Sequence, residues 1–80
     1  FIERLRRIET IAKRHDGVTD AYAVKAGKEV RVIVDAEIAS DDQAFGLSKE
    51  IARALEQELA FPGQIKVSVV RETRSVKFAV

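Results

Sequence analysis

The chain contains no cysteine, so no disulfide can staple it and no cysteine-based zinc site can form. That lack also fits a reducing compartment. Its single histidine cannot supply the several imidazole ligands of a histidine-rich metal centre. Aromatic residues make up 6 % of the chain, too few for a base-stacking platform, with Tyr22 and Phe78 the only strand candidates. The four glycines stand singly, which excludes a Walker loop, a dinucleotide fingerprint, a G-x-S-x-G elbow and the G-x-x-G clamp of a KH module. Apolar runs are only a few residues long, so nothing here spans a bilayer, and no signal-peptide pattern opens the sequence. A net charge of +1 argues for no nucleic-acid partner by itself.

What is present is enough for one domain. Eighty residues with 46 % hydrophobic content lie near the lower limit of chains that fold without staples, yet well above the composition of disorder. Charge is unevenly spread: residues 1–16 carry +2, residues 35–60 carry −5 and residues 61–80 carry +3.

In "FIERLRRIETIAKRHDG", Phe1, Leu5, Ile8, Ile11 and Ala12 recur at helical spacing, with the arginines on the other face. Gly17 is a natural stop, and Lys13, Arg14 and His15 suit the negative end of the helix dipole. Nothing ahead of Phe1 caps the start, as expected for a helix continuing from a longer chain. "VTDAYAVKAGKEVRVIVDA" reads as a hairpin, with Gly27-Lys28 as a two-residue type II′ loop. Alternation puts Ala21, Ala23, Lys25, Val30, Val32 and Val34 on the core face, and Tyr22, Val24, Ala26, Glu29, Arg31 and Ile33 on the other.

Ser40 and Gln43 form a capping box, and Asp41 and Asp42 sit where the dipole favours acids. Ala44, Leu47, Ser48, Ile51, Ala52, Leu55 and Leu59 then line one face of a second helix, in which Gly46 costs about 1 kcal/mol relative to alanine, tolerable where something packs tightly against it. Phe61-Pro62-Gly63 stops it. A strand follows with Ile65, Val67 and Val69 inward, and "SVKFAV" predicts a fourth, terminal strand. The expected fold is α+β, a two-layer sandwich of order α-β-β-α-β-β. Two helices cover one face of a small, mostly antiparallel sheet.

Chemistry-bearing constellations are missing. His15-Asp16 has the look of a metal-dependent phosphohydrolase pair, but such a site needs several further ligands, and capping of a helix end explains both residues. Ser68 and Ser75 have no histidine near them in sequence, and Asp41-Asp42 need no cation to account for them. No catalytic residue, metal ligand or cofactor is therefore expected in residues 1–80.

Two stretches carry a resemblance. Ala26–Arg31, in the pattern Ala-Gly-x-Glu-Val-Arg, and Pro62–Arg74, containing Pro-Gly-x-Ile-Lys-Val and Arg-Glu-Thr-Arg, resemble the C-terminal end of the ribonuclease Y family. The resemblance implies a bacterial endoribonuclease that initiates messenger RNA decay. Its parent would be held at the cytoplasmic face of the cell membrane by an N-terminal anchor, with a coiled coil, a KH domain and a catalytic, metal-binding HD domain. It further implies that residues 1–80 are a single C-terminal accessory domain, and that residues 1–16 are a lead-in helix from the upstream HD domain. No membrane contact is expected of this segment. Its expected partners are a second copy or RNA-decay proteins, through Tyr22, Val24, Ile33 and Val70. A weaker alternative is RNA, through Arg31, Lys66, Arg71, Arg74 and Lys77.

Overall fold

In the computed structural model, which describes residues 1–60 and 63–80, helix α1 runs Ile2–Lys13. Spacings of three and four stack Ile8, Ile11 and Ala12 on one side, where all three are buried. Leu5 is half-buried beside them, whereas Phe1, read as part of the same stripe, is exposed. Phe1 is the N-cap, outside the helix proper, and no side chain caps this end. Beyond Lys13 the His15 Nδ1 lies 2.9 Å from the Ile11 carbonyl, a helix-terminus contact. Gly17, at φ +89°, then turns the chain into the sheet through a left-handed conformation that other residues resist.

Strand β1 (Val18–Val24) pairs antiparallel with β2 (Glu29–Asp35), and β3 (Lys66–Glu72) pairs parallel with β2, giving the order β1-β2-β3. The parallel pairing follows from helix α2 (Asp41–Glu58), which carries the chain over the sheet so that β3 starts beside the start of β2. The sheet is thus mixed, where a mostly antiparallel one was expected. The α+β class holds, with both helices on one side.

The hairpin differs from the expected two-residue loop. Val24 pairs with Glu29, so four residues, 25–28, make the connection and the pairs from Asp20 to Val24 are displaced by two positions. Lys25, Ala26 and Gly27 all take positive φ (53°, 56° and 85°). The longer loop lets Gly27 bury itself against α1, where an added Cβ would stand 2.8 Å from Leu5 Cδ2. Lys25 accordingly leaves the core face for the loop. A two-residue displacement preserves strand faces, so the other assignments stand. A bulge between Val18 and Asp20 brings Val18 onto the core side with Ala21, although the two are an odd number of residues apart.

Val30, Val32 and Val34 are fully buried, flanked by Ala21 and Ala23 of β1 and Val67 and Val69 of β3. Ile8, Ile11 and Ala12 of α1 and Ile51, Leu55 and Leu59 from the second helical segment close the same core. The alanines let α1 approach β1. The capping box is formed: Ser40 Oγ accepts from the Gln43 N–H (3.1 Å), and Gln43 Oε1 accepts from the Ser40 N–H (2.8 Å). Nothing packs tightly against Gly46. An added Cβ there would meet nothing within 4 Å, so this glycine weakens the helix by about 1 kcal/mol relative to alanine without a packing gain. The helix ends at Glu58 with Leu59 as its C-cap, and the expected stop at Phe61-Pro62 lies outside the described residues.

Residues 73–80 join no strand, so the expected fourth strand is absent from this sheet. Only Thr73 and Arg74 separate β3 from "SVKFAV". A two-residue hairpin needs left-handed backbone, which a β-branched threonine and a bulky arginine resist and neither adopts.

Candidate interaction surface

Strand alternation leaves one face of the sheet uncovered by helices, and the register arranges its side chains in rows. Val24, Glu29 and Lys66 form one row, Tyr22, Arg31 and Ser68 the next, then Asp20, Ile33 and Val70, and last Asp35 beside Glu72. The residues predicted for an interface, Tyr22, Val24, Ile33 and Val70, therefore lie on this one face. Tyr22 and Val70 are 49 % and 40 % exposed, and Val24 and Ile33 are half-buried.

A polar network borders the apolar residues. The Tyr22 hydroxyl donates to Asp20 Oδ2 at 2.7 Å. That bond, followed by one from the Ala21 N–H, holds the Asp20 carboxyl below the usual range, and the same carboxylate pushes the Tyr22 phenol up. The ring is thereby fixed in one orientation, a low-entropy contact surface.

Glu29 is the residue that sequence reasoning missed. It is 4 % exposed, though it belongs to the open face. Its carboxylate accepts from Ser68 Oγ at 3.0 Å and pairs with Lys25 Nζ and Arg31 Nη2, each at 3.4 Å. An acid four residues after Lys25 and two before Arg31 was a visible signal; Ser68, on a strand 39 positions away, was not. The Ser68 hydroxyl chiefly, and then Lys25, lower the Glu29 pKa against the opposing effect of burial. The folded value lies below the unfolded value of about 4.3, so the stabilisation is present above that pH and disappears as pH falls through the folded value. Between pH 6 and pH 3 the thermal midpoint of the native protein should fall more than that of Glu29→Gln. Parallel curves for the two would show that this carboxylate contributes nothing.

The five cations predicted for RNA are dispersed in their engagements. Arg31 pairs with Glu29, and Arg74 pairs with Glu72 at 2.8 Å. Arg71 turns to the loop before α2: Nε donates to the Ala39 carbonyl (2.7 Å), Nη2 to the Ala36 carbonyl (2.9 Å) and Nη1 to Asp41 Oδ1 (2.9 Å). Lys66 flanks Glu29 on the open face, and Lys77 lies in the segment beyond β3. Among the described residues no group of three His, Cys, Asp or Glu side chains could hold a metal ion, and no helix is long and apolar enough to cross a membrane.

No family model matches the chain, and no solved structure matches it significantly. Curated relatives do. The chain is 58 % identical over 79 residues to ribonuclease Y of Aquifex aeolicus, covering 99 % of the chain and 14 % of that protein. It is 52 % identical to ribonuclease Y of Symbiobacterium thermophilum and 49 % identical to that of Campylobacter curvus, in each case over 99 % of the chain and 15 % of the relative. Matched along almost its whole length by proteins of which it spans only 14–15 %, this chain is a C-terminal segment of the ribonuclease Y family.

Proposed function

We propose that this domain is a non-catalytic accessory module of a ribonuclease Y-like endoribonuclease that initiates messenger RNA decay, and that it serves self-association or docking of a protein partner. The observation that carries this reading is the open sheet face, where Tyr22, Ile33 and Val70 present apolar surface with no helix over it and Asp20, Arg31 and Ser68 supply a polar border. Cleavage of RNA belongs, in this reading, to the HD domain of the parent protein, whose anchor would hold the assembly at the cytoplasmic face of the bacterial membrane.

The test is Ile33→Glu. A carboxylate placed in a buried contact has no partner there, so self-association should weaken by about tenfold or more in sedimentation across concentration. The thermal midpoint of the monomer should hardly change, because Ile33 lies outside the buried core cluster. Unfolding by this substitution would make Ile33 a core residue, and unchanged association together with unchanged stability would remove this face from consideration.

A second reading, auxiliary RNA binding, rests on Arg31, Lys66, Arg71, Arg74 and Lys77. Three of these already satisfy partners within the domain, which favours the first reading. Binding of single-stranded RNA that survives high salt and depends on these residues would reverse that preference.

A further inference from the structure

The two free edges of the sheet are not alike. On β1 the outward N–H groups of Ala21 and Ala23 are taken by carboxylates, Asp20 Oδ1 at 2.8 Å and Glu9 Oε2 at 2.8 Å. Such side-chain capping blocks the addition of another strand. On β3 the Lys66 N–H donates to the Lys28 carbonyl and the Glu72 carbonyl accepts from the Ala36 N–H, each at 2.9 Å. Even-numbered residues of β3 therefore bond toward β2, and Val67, Val69 and Arg71 direct their N–H and C=O groups outward. No described residue caps those groups.

The segment that follows β3 has the opposite need. Ser75–Val80 alternates small or polar residues with Val76, Phe78 and Val80, the pattern of a strand with one buried face, yet these three are exposed at 67 %, 80 % and 124 %. The radius of gyration, 13.5 Å, exceeds the roughly 12 Å of a compact 80-residue domain. Arg74 pairs with Glu72, two residues back, so the two side chains share one side, as alternate residues of a strand do. Continued in that sense, Val76, Phe78 and Val80 fall on the same face as Val70. A two-residue turn at Thr73-Arg74 would need Glu72 to offer its backbone to the returning strand, but that residue bonds toward β2, and neither Thr73 nor Arg74 takes the left-handed backbone such a turn needs.

We infer that residues 75–80 add as an antiparallel strand to the β3 edge of a second copy of this chain, and that the second copy returns the same strand. The exchange is isologous: β3 and the following segment of one molecule run antiparallel to those of the other, with a two-fold axis near Thr73. One continuous sheet results, and Val76 of each molecule comes to lie near Val70 of its mate, extending the apolar row that includes Ile33. The junction is too short to fold back and long enough to reach across, which is the condition that favours exchange over a closed monomer. The inference rests on the reading of this domain as an association module and specifies how the association is made.

Sedimentation of the 80-residue chain across micromolar concentrations, which holds its core without residues 75–80, tests both. The intact chain should be a dimer. A chain ending at Arg74 should be a monomer with unchanged helix content, whose thermal midpoint does not depend on concentration as that of the intact chain does. A truncated chain that dimerises as well as the intact one overturns strand exchange while leaving self-association standing. An intact chain that stays monomeric at every concentration overturns both.

Discussion

Ile51→Ala should lower the stability of this domain by about 2–5 kcal/mol, seen as a lower denaturant midpoint with an unchanged slope. Ile51 has no exposed surface and shares the buried cluster with Ile8, Ile11, Val30, Val32, Val34 and Leu55. Truncation removes three carbons and leaves a void between α2 and the sheet that packed neighbours only partly refill. In a domain of this size the whole folding free energy is about 4–12 kcal/mol, so one such cavity is a large share of it. Ile38→Ala serves as the control, because Ile38 is 76 % exposed and its loss should leave the midpoint within about 0.5 kcal/mol. A shift below about 1 kcal/mol for Ile51→Ala would mean that α2 is not docked through this residue.

Arg71→Ala should cost about 1.5–3 kcal/mol, mostly through the two carbonyl contacts. The guanidinium reaches Ala36, Ala39 and Asp41, three points on the connection between β2 and α2, while the Ala36 N–H bonds to the Glu72 carbonyl from the same stretch. The Asp41 pair itself adds little, since that carboxylate is 88 % exposed. Removing the side chain leaves two carbonyls without their charged donor and frees the start of α2 from the end of β3. Arg71→Lys should recover only part of the loss, because an ammonium cannot address three acceptors with a planar fork. Hydrogen exchange at the N-terminal turn of α2 should rise in both variants, more in the alanine one. Unchanged exchange and stability would show that these contacts do not hold the connection.

Local patterns in the sequence were sufficient for both helices, three strands and the faces of the sheet. The three-and-four spacing of Ile8, Ile11 and Ala12, and the seven-and-four spacing of Ala44, Ile51 and Leu55, place each set on one side whatever the rest of the chain does. Ser40 and Gln43 cap α2 with contacts three residues apart. Tyr22, Val24, Ile33 and Val70 were assignable to one face because a register displaced by two keeps every side chain on its side.

Tertiary contacts decided the rest. The hairpin took four loop residues because Gly27 buries against Leu5, 22 positions earlier, a contact outweighing the tighter turn suggested by Gly27-Lys28. Arg71 became a clamp, not an exposed cation, because its acceptors are main-chain carbonyls 32 and 35 positions away, which no residue type announces. Glu29 is buried on the open face because Ser68 reaches it across the parallel pairing that α2 creates. The alternation of residues 75–80 marks a strand, but alternation says nothing about which edge receives it. That depends on the backbone at Thr73 and Arg74, where left-handed geometry is too costly for the chain to turn back.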